Sequence, residues 1–204
     1  MTTSKLVTGP ASEPVTVAQA KVHLRVDHDA DDNYIESLIV QAREYVEHHQ
    51  ERAILSQTWE LHLDSFPAGC ETPRGLRSAM IFLPTAPLQS VTHVKYYDGD
   101  GTLTTLDTDD YLVIGVGTKA RGSIVPAVGL SWPTTQDRPE AVIVRYVSGY
   151  ASAGAVPSAT KQAILLMVAQ AYEFREPVIT GAVPGKVDFT IEALMSVDSL
   201  RGYW

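Results

Sequence analysis

The sequence predicts an α+β protein: a helical bundle made by the N- and C-terminal segments, with a small antiparallel β unit inserted between them. Three observations predict it. Apolar residues recur with a helical period before residue 56, with a period of two in the middle of the chain, and with a helical period again after residue 157. Strong turn signals, Asp98-Gly99-Asp100-Gly101 foremost, fall inside the middle part. The order helices, strands, helices then favours packing of the terminal segments on each other.

The expected organisation follows the chain. Residues 1–13 are polar, contain Gly9 and Pro10, and read as a flexible arm. The helical region 14–56 opens with Thr16 as an N-cap for a short helix, Val17 to Val26, with Val22 and Val26 on one face. Asp27 to Asp32 is an acidic turn suited to the positive end of the next helix. That helix, Asp31 to Glu51, carries the stripe Ile35, Leu38, Ile39, Ala42 and Val46, with His48, His49 and Arg52 near its end.

The inserted β unit spans 57–150. Trp59, Leu61 and Leu63 alternate with Glu60, His62 and Asp64 as in a half-buried strand. A Gly/Pro-rich stretch around Ala68 to Ala79 reads as an exposed loop, and Met80 to Leu83 is an apolar run closed by Pro84 and Pro87. Val91 to Tyr97 and Thr102 to Leu106 flank the turn of a hairpin; Tyr111 to Val116, Ser123 to Val125 and Val142 to Val147 read as further strands. Trp132, near Pro133 and Pro139, fits a loop anchor packed on a strand better than a ligand-binding aromatic.

A second helical region, 151–176, completes the bundle. Pro157-Ser158 starts its helix, which stops before Pro177. Ala163 to Ala169 is apolar on every side, so burial all round is expected, in the bundle or against a neighbouring subunit. Ile164, Leu165, Val168 and Tyr172 are the candidates for that buried or subunit-facing surface. Residues 177–204 read as a loop, an amphipathic stretch Thr190 to Leu200, and a tail ending Arg201-Gly202-Tyr203-Trp204. Two large aromatics at a chain end suit either a docking tail, with Leu200, Arg201, Tyr203 and Trp204 as its candidate contacts, or folding back onto the chain's own core.

Composition narrows the function. The 204 residues are 45% hydrophobic and 20% charged, which suits a globular protein. No run of 18 apolar residues occurs, so no membrane span is expected. Met1-Thr2-Thr3-Ser4-Lys5 has no apolar signal core, so assembly in the cytoplasm is expected. A net charge of −8 argues against gripping DNA, because phosphate binding depends on Lys and Arg. With a lone cysteine, Cys70, no internal disulfide can form.

Catalytic and metal readings fail in turn. Asp27, Asp29 and Asp31 imitate a calcium loop, but in a register from Asp27 the glycine position holds Asp32 and the glutamate position Leu38. From Asp29 those positions hold Tyr34 and Val40. The histidines His23, His28, His48, His49, His62 and His93 form no H-E-x-x-H pattern. There is no phosphate loop, no dinucleotide fingerprint at Gly115 and Gly117, and no G-x-S-x-G nucleophile elbow. No enzyme, cofactor or metal is expected.

Two ordered stretches resemble a known family. The first runs from Thr16-Val17-Ala18-Gln19-Ala20-Lys21-Val22-His23-Leu24-Arg25-Val26-Asp27 through Asp31-Asp32, Ile35, Leu38-Ile39 and Ala42 to Glu47 into Gln57-Thr58-Trp59. The second runs from Ser131-Trp132-Pro133 through Arg138-Pro139, Ala141-Val142, Gly149-Tyr150, Val156-Pro157 and Gln162 to Leu166, to Tyr172-Glu173 and Arg175-Glu176. Together they resemble the head–tail connector (adaptor) proteins of long-tailed phages and gene transfer agents. The resemblance implies a virion structural protein that forms a ring, usually of twelve copies, beneath the portal. Such a ring extends the DNA channel, lets DNA pass without specific binding, and offers a platform to a stopper or other tail component. It also implies that Tyr203 and Trp204 face the portal. The competing readings are another neck component, such as a stopper or tail-completion protein, a small acidic hydrolase, and a soluble binding module outside phages.

Overall fold

The computed structural model describes residues 2–67, 70–71, 77–174, 187–197 and 199–200. It is a mixed α+β protein that divides into two compact units, residues 10–55 with 150–204, and residues 1–9 with 56–149.

The first unit is helical. Helix α1, Val17–Leu24, starts at Thr16, whose hydroxyl accepts from the Gln19 backbone N–H (3.2 Å) while the Gln19 side chain accepts from the Thr16 N–H (3.0 Å). This reciprocal pair satisfies two of the free donors at a helix start. The helix ends where Arg25 turns left-handed (φ 60°) and the chain enters the acidic turn. Ala20 is its buried residue, whereas Val22 is 81% exposed, contrary to the face predicted for it. Two positions at 100° each carry Val22 to the far side of α1 from Ala20.

Helix α2, Asp32–Gln50, buries the predicted stripe: Ile35, Leu38, Ile39, Ala42 and Val46 are all 7% exposed or less. Helix α3, Ser158–Glu173, and helix α4, Val187–Ser196, add Ala163, Ile164, Val168, Ile191 and Met195 to the same core. Each fully buried Val, Leu, Ile or Met side chain contributes about 1.5–3 kcal/mol relative to exposure, which drives this packing more than helix propensity does.

The second unit is β. Strand β1, Thr2–Thr8, pairs antiparallel with β2, Gln57–Leu63. The segment predicted as a flexible arm is therefore an edge strand, and it groups with the β unit. Thr and Val favour extended backbone, and β2 offers its free edge as partner. All seven β1 residues are exposed, so the polar composition that suggested an arm describes an uncovered strand equally well.

The loop expected near 68–79 falls largely outside the described residues; within it β3, Cys70–Glu71, pairs antiparallel with β4, Arg77–Ser78. Then follow β5, Ile81–Phe82, β6, Leu88–Tyr97, and β7, Leu103–Thr105. The turn joining β6 to β7 is held by the Asp98 carboxylate, which accepts from the backbone N–H groups of Asp100 (3.0 Å) and Thr102 (2.9 Å). Gly101 closes it at φ 81°. Strands β8, Tyr111–Ile114, β9, Ser123–Pro126, and β10, Val142–Ser148, complete the unit.

The main sheet has the order β1-β2-β10-β6-β7, and a second sheet the order β5-β9-β8. Leu61, Leu83, Leu88, Val94, Ile124, Val142, Val144 and Tyr146 form the core, all at most 2% exposed. Trp132 anchors its loop as predicted: its indole N–H donates to the Ala79 carbonyl (2.8 Å), and its ring stacks on Phe66 at 4.7 Å.

Candidate functional site

The residues singled out for assembly lie mostly on α3 and at the chain's C-terminal end. On α3, Ile164 is fully buried and Val168 is 1% exposed, both in the helical unit's own core. Leu165 and Tyr172 are half-buried. Burial all round, as the apolar run predicts, does not occur within one chain: the buried stripe is Thr160, Ala163, Ile164 and Val168, and Leu165, Leu166 and Met167 keep part of their surface. A helix packed on one core presents a single stripe to it, so the remaining apolar side chains are left at its margins.

Tyr172 is nonetheless well placed. Its hydroxyl donates to the Asp31 carboxylate (2.5 Å), and its ring lies 6.1 Å from that of Tyr34. Asp31 stands at the N-cap of α2 but makes no capping bond with its side chain. Its carboxylate ties α3 to the start of α2 instead.

Part of the remaining acidic turn is paired locally. The Lys21 ammonium contacts Asp29 (2.5 Å) and Asp32 (2.8 Å). The Lys21 hydrogen bond lowers the Asp29 pKa from its ordinary value, and the two aspartates raise that of Lys21. Among the described residues no cluster of three His, Cys, Asp or Glu side chains is arranged to hold a metal.

Arg43, 6% exposed, is the charged centre of the helical unit. Its guanidinium reaches Glu13 (2.8 Å) and Glu47 (2.7 Å), fixing the segment before α1 against α2. In the β unit, Arg145 donates twice to one Glu60 oxygen, at 3.0 and 2.6 Å. Burial would raise the Glu60 pKa, but Arg145, helped by His62, holds it below the usual carboxylate value.

At the C-terminal end, Leu200 is 5% exposed, and its backbone N–H donates to the Gln50 carbonyl (3.2 Å). Gln50, itself 1% exposed, donates through its side chain to the Met195 carbonyl (2.9 Å). Leu200 is thus seated on the chain's own helical unit. Arg201, Tyr203 and Trp204 lie outside the described residues.

One group was missed by reasoning on the sequence. Phe82, Leu112, Ile114 and Val116 are 64%, 48%, 46% and 51% exposed. Their signal was the unbroken apolar run Tyr111-Leu112-Val113-Ile114, the pattern of a strand meant to be covered on both faces.

Comparison with known proteins agrees with the resemblance drawn from the motifs. Residues 14–112 match the profile of the phage gp6-like head-tail connector protein family. A search of curated proteins finds no match. Among solved structures, the chain is similar to a protein in the neck of an empty gene transfer agent (GTA) particle computed with C6 symmetry. The TM-score is 0.75 and the identity 26%, over 97% of this chain and 95% of that one. It is also similar to a chain of the native GTA virion (TM-score 0.72, 26% identity, 94% of each chain). A third likeness is to the neck of the native GTA particle computed with C12 symmetry (TM-score 0.66, 25% identity, 94% of each chain). The family matched is one of head-tail connector proteins, and the similar solved chains come from gene transfer agent necks and virions.

Proposed function

We propose that this chain is a head–tail connector (adaptor) of a phage or gene transfer agent. In this reading it forms a ring beneath the portal, extends the DNA channel and offers the next tail component its platform. The observation that carries the reading is the likeness to a GTA neck protein over 97% of this chain, with a TM-score of 0.75. A neck likeness computed with C12 symmetry supports twelve copies.

The chain's physical character fits such a ring. A cyclic assembly is built from heterologous contacts, each copy offering two different surfaces to its neighbours. In the helical unit, which we read as a bundle, Ile164 and Val168 supply the internal core. Leu165 and Tyr172, with surface to spare, are among the α3 side chains available to a neighbour. A net charge of −8 per copy disfavours lasting contact with DNA phosphates, so DNA slides through without specific binding. We assign portal docking to the tail from Arg201 to Trp204, with Leu200 as the point where it leaves the helical unit. Assembly then takes place in the host cytoplasm, and the protein ends at the head–tail junction of the virion.

The test is co-sedimentation of the purified chain with its cognate portal ring, with and without residues 201–204. Binding at a ring's worth of copies that weakens on deletion supports both connector and tail anchor. Binding that survives deletion discards the tail anchor alone. No binding overturns the connector reading.

A further inference from the structure

The strand register assigns the residues of the β unit's second sheet to two faces, the outer one including Ser123, which is itself only 5% exposed. Ile81 pairs with Ile124, and Ile124 with Val113; Ile81 and Ile124 are 2% and 0% exposed. Phe82 pairs with Ser123, Ser123 with Ile114, and Leu112 with Val125, which places these five residues on the opposite face. None of the five carries a charge. Phe82, Leu112 and Ile114 are about half exposed or more, and Val116, just beyond the end of β8, is 51% exposed. Contiguous exposed apolar side chains of this size mark a surface that a partner covers.

We propose that this outer face, centred on Phe82, Leu112 and Ile114, is a contact between neighbouring copies of the chain. Two features of the molecule select a second copy as the occupant. First, copies carrying −8 each repel one another, which favours an uncharged surface such as this one for a lasting contact between them. A basic partner would instead be drawn to the acidic surface elsewhere. Second, the neck likeness computed with C12 symmetry has its chain in a cyclic arrangement, where every copy needs apolar surface to bury sideways. The inference rests on the ring reading above and adds to it the side of the β unit that makes the contact.

The experiment compares wild type with Phe82→Asp and Ile114→Asp, alone and on the portal ring. Sedimentation and native mass spectrometry report copy number, and circular dichroism with thermal unfolding reports the fold. If either variant fails to fold, the milder Phe82→Ser and Leu112→Ser replace it. The expected result is folded variants whose self-association is at least tenfold weaker, with single copies still able to bind the portal. Folded variants that assemble like wild type overturn the inference while leaving the ring reading standing. So do variants that form normal rings but lose a purified tail component, since the face would then belong to that component. Wild type that binds the portal without ring-like stoichiometry overturns the ring and this contact together.

Discussion

The Tyr172 hydroxyl donates to the Asp31 carboxylate over 2.5 Å, joining positions 141 residues apart in the chain. The bond connects the last turn of α3 to the residue just before α2, so it ties together the two stretches of chain that make the helical unit. Replacing the hydroxyl leaves the carboxylate without this donor while keeping the ring and its contact with Tyr34. Tyr172→Phe is expected to destabilise the helical unit by about 1.5–3 kcal/mol, the range for hydrogen bonds to charged groups. Urea unfolding followed by helical ellipticity checks this, and an unchanged midpoint contradicts it.

Arg43 is a buried charge whose removal leaves partners behind. It is 6% exposed and holds both Glu13 and Glu47. Arg43→Ala strands two carboxylates with only partial access to water and also loses the packing of the side-chain stem. A loss of about 3 kcal/mol is expected by chemical denaturation. Arg43→Lys restores part of it, because an ammonium cannot make the forked contacts of a guanidinium.

The Glu60–Arg145 pair makes the β unit acid-sensitive. The folded-state pKa of Glu60 is held below its ordinary value of 4.5, so protonation favours the unfolded chain. The stability from this pair is fully present above pH 4.5 and is lost as the pH falls through the folded value. Glu60→Gln should flatten that part of the stability curve measured from pH 6 to pH 3. An identical slope in the variant would exclude Glu60 as the titrating group.

Gly122 has no room for a side chain. A Cβ built there would sit 2.8 Å from the Leu88 Cβ and nearer still to its Cδ2. Leu88 is fully buried, so it cannot swing away without disturbing the core. Gly122→Ala is expected to cost about 1–3 kcal/mol through overpacking, and combined with Leu88→Ala it should cost less than the sum of the two single losses, because the clashing Cδ2 is gone. Thermal unfolding of the two single variants and the double variant measures this.

Ile164 and Leu165, adjacent on α3, should separate folding from assembly. Ile164 is fully buried, and Ile164→Ala is expected to cost about 2–5 kcal/mol of stability. Leu165 is half-buried, so Leu165→Ala should cost less stability and act more on copy number at the portal. Equal effects of the two on unfolding would argue that Leu165 belongs wholly to the internal core.

Where one local period dominates, the fold was legible in the sequence. The α2 stripe from Ile35 to Val46, the capped start at Thr16, the β6–β7 turn at Asp98 to Gly101 and the Trp132 anchor all stand where residue type and spacing put them. These features depend on neighbours within a few positions, and local geometry decides them. The head–tail connector resemblance was likewise carried by ordered motifs between Pro14 and Glu176.

Partners distant in the chain had to come from tertiary structure. Residues 2–8 became a strand because β2 presented an unpaired edge, a fact absent from the segment itself. Asp31 took Tyr172 rather than the free N–H groups of α2, and Val22 faced out because Ala20 faced in. The run Tyr111 to Ile114 announced two apolar faces, but only the pairing of β5, β9 and β8 decided that one is covered within the chain and the other is not. The sequence by itself determined the elements that carry one strong local period, such as α2 and the β6–β7 hairpin, since backbone propensity and apolar period are local properties. Tertiary structure alone decided which faces and edges remain open, because burial is a property of the assembled chain.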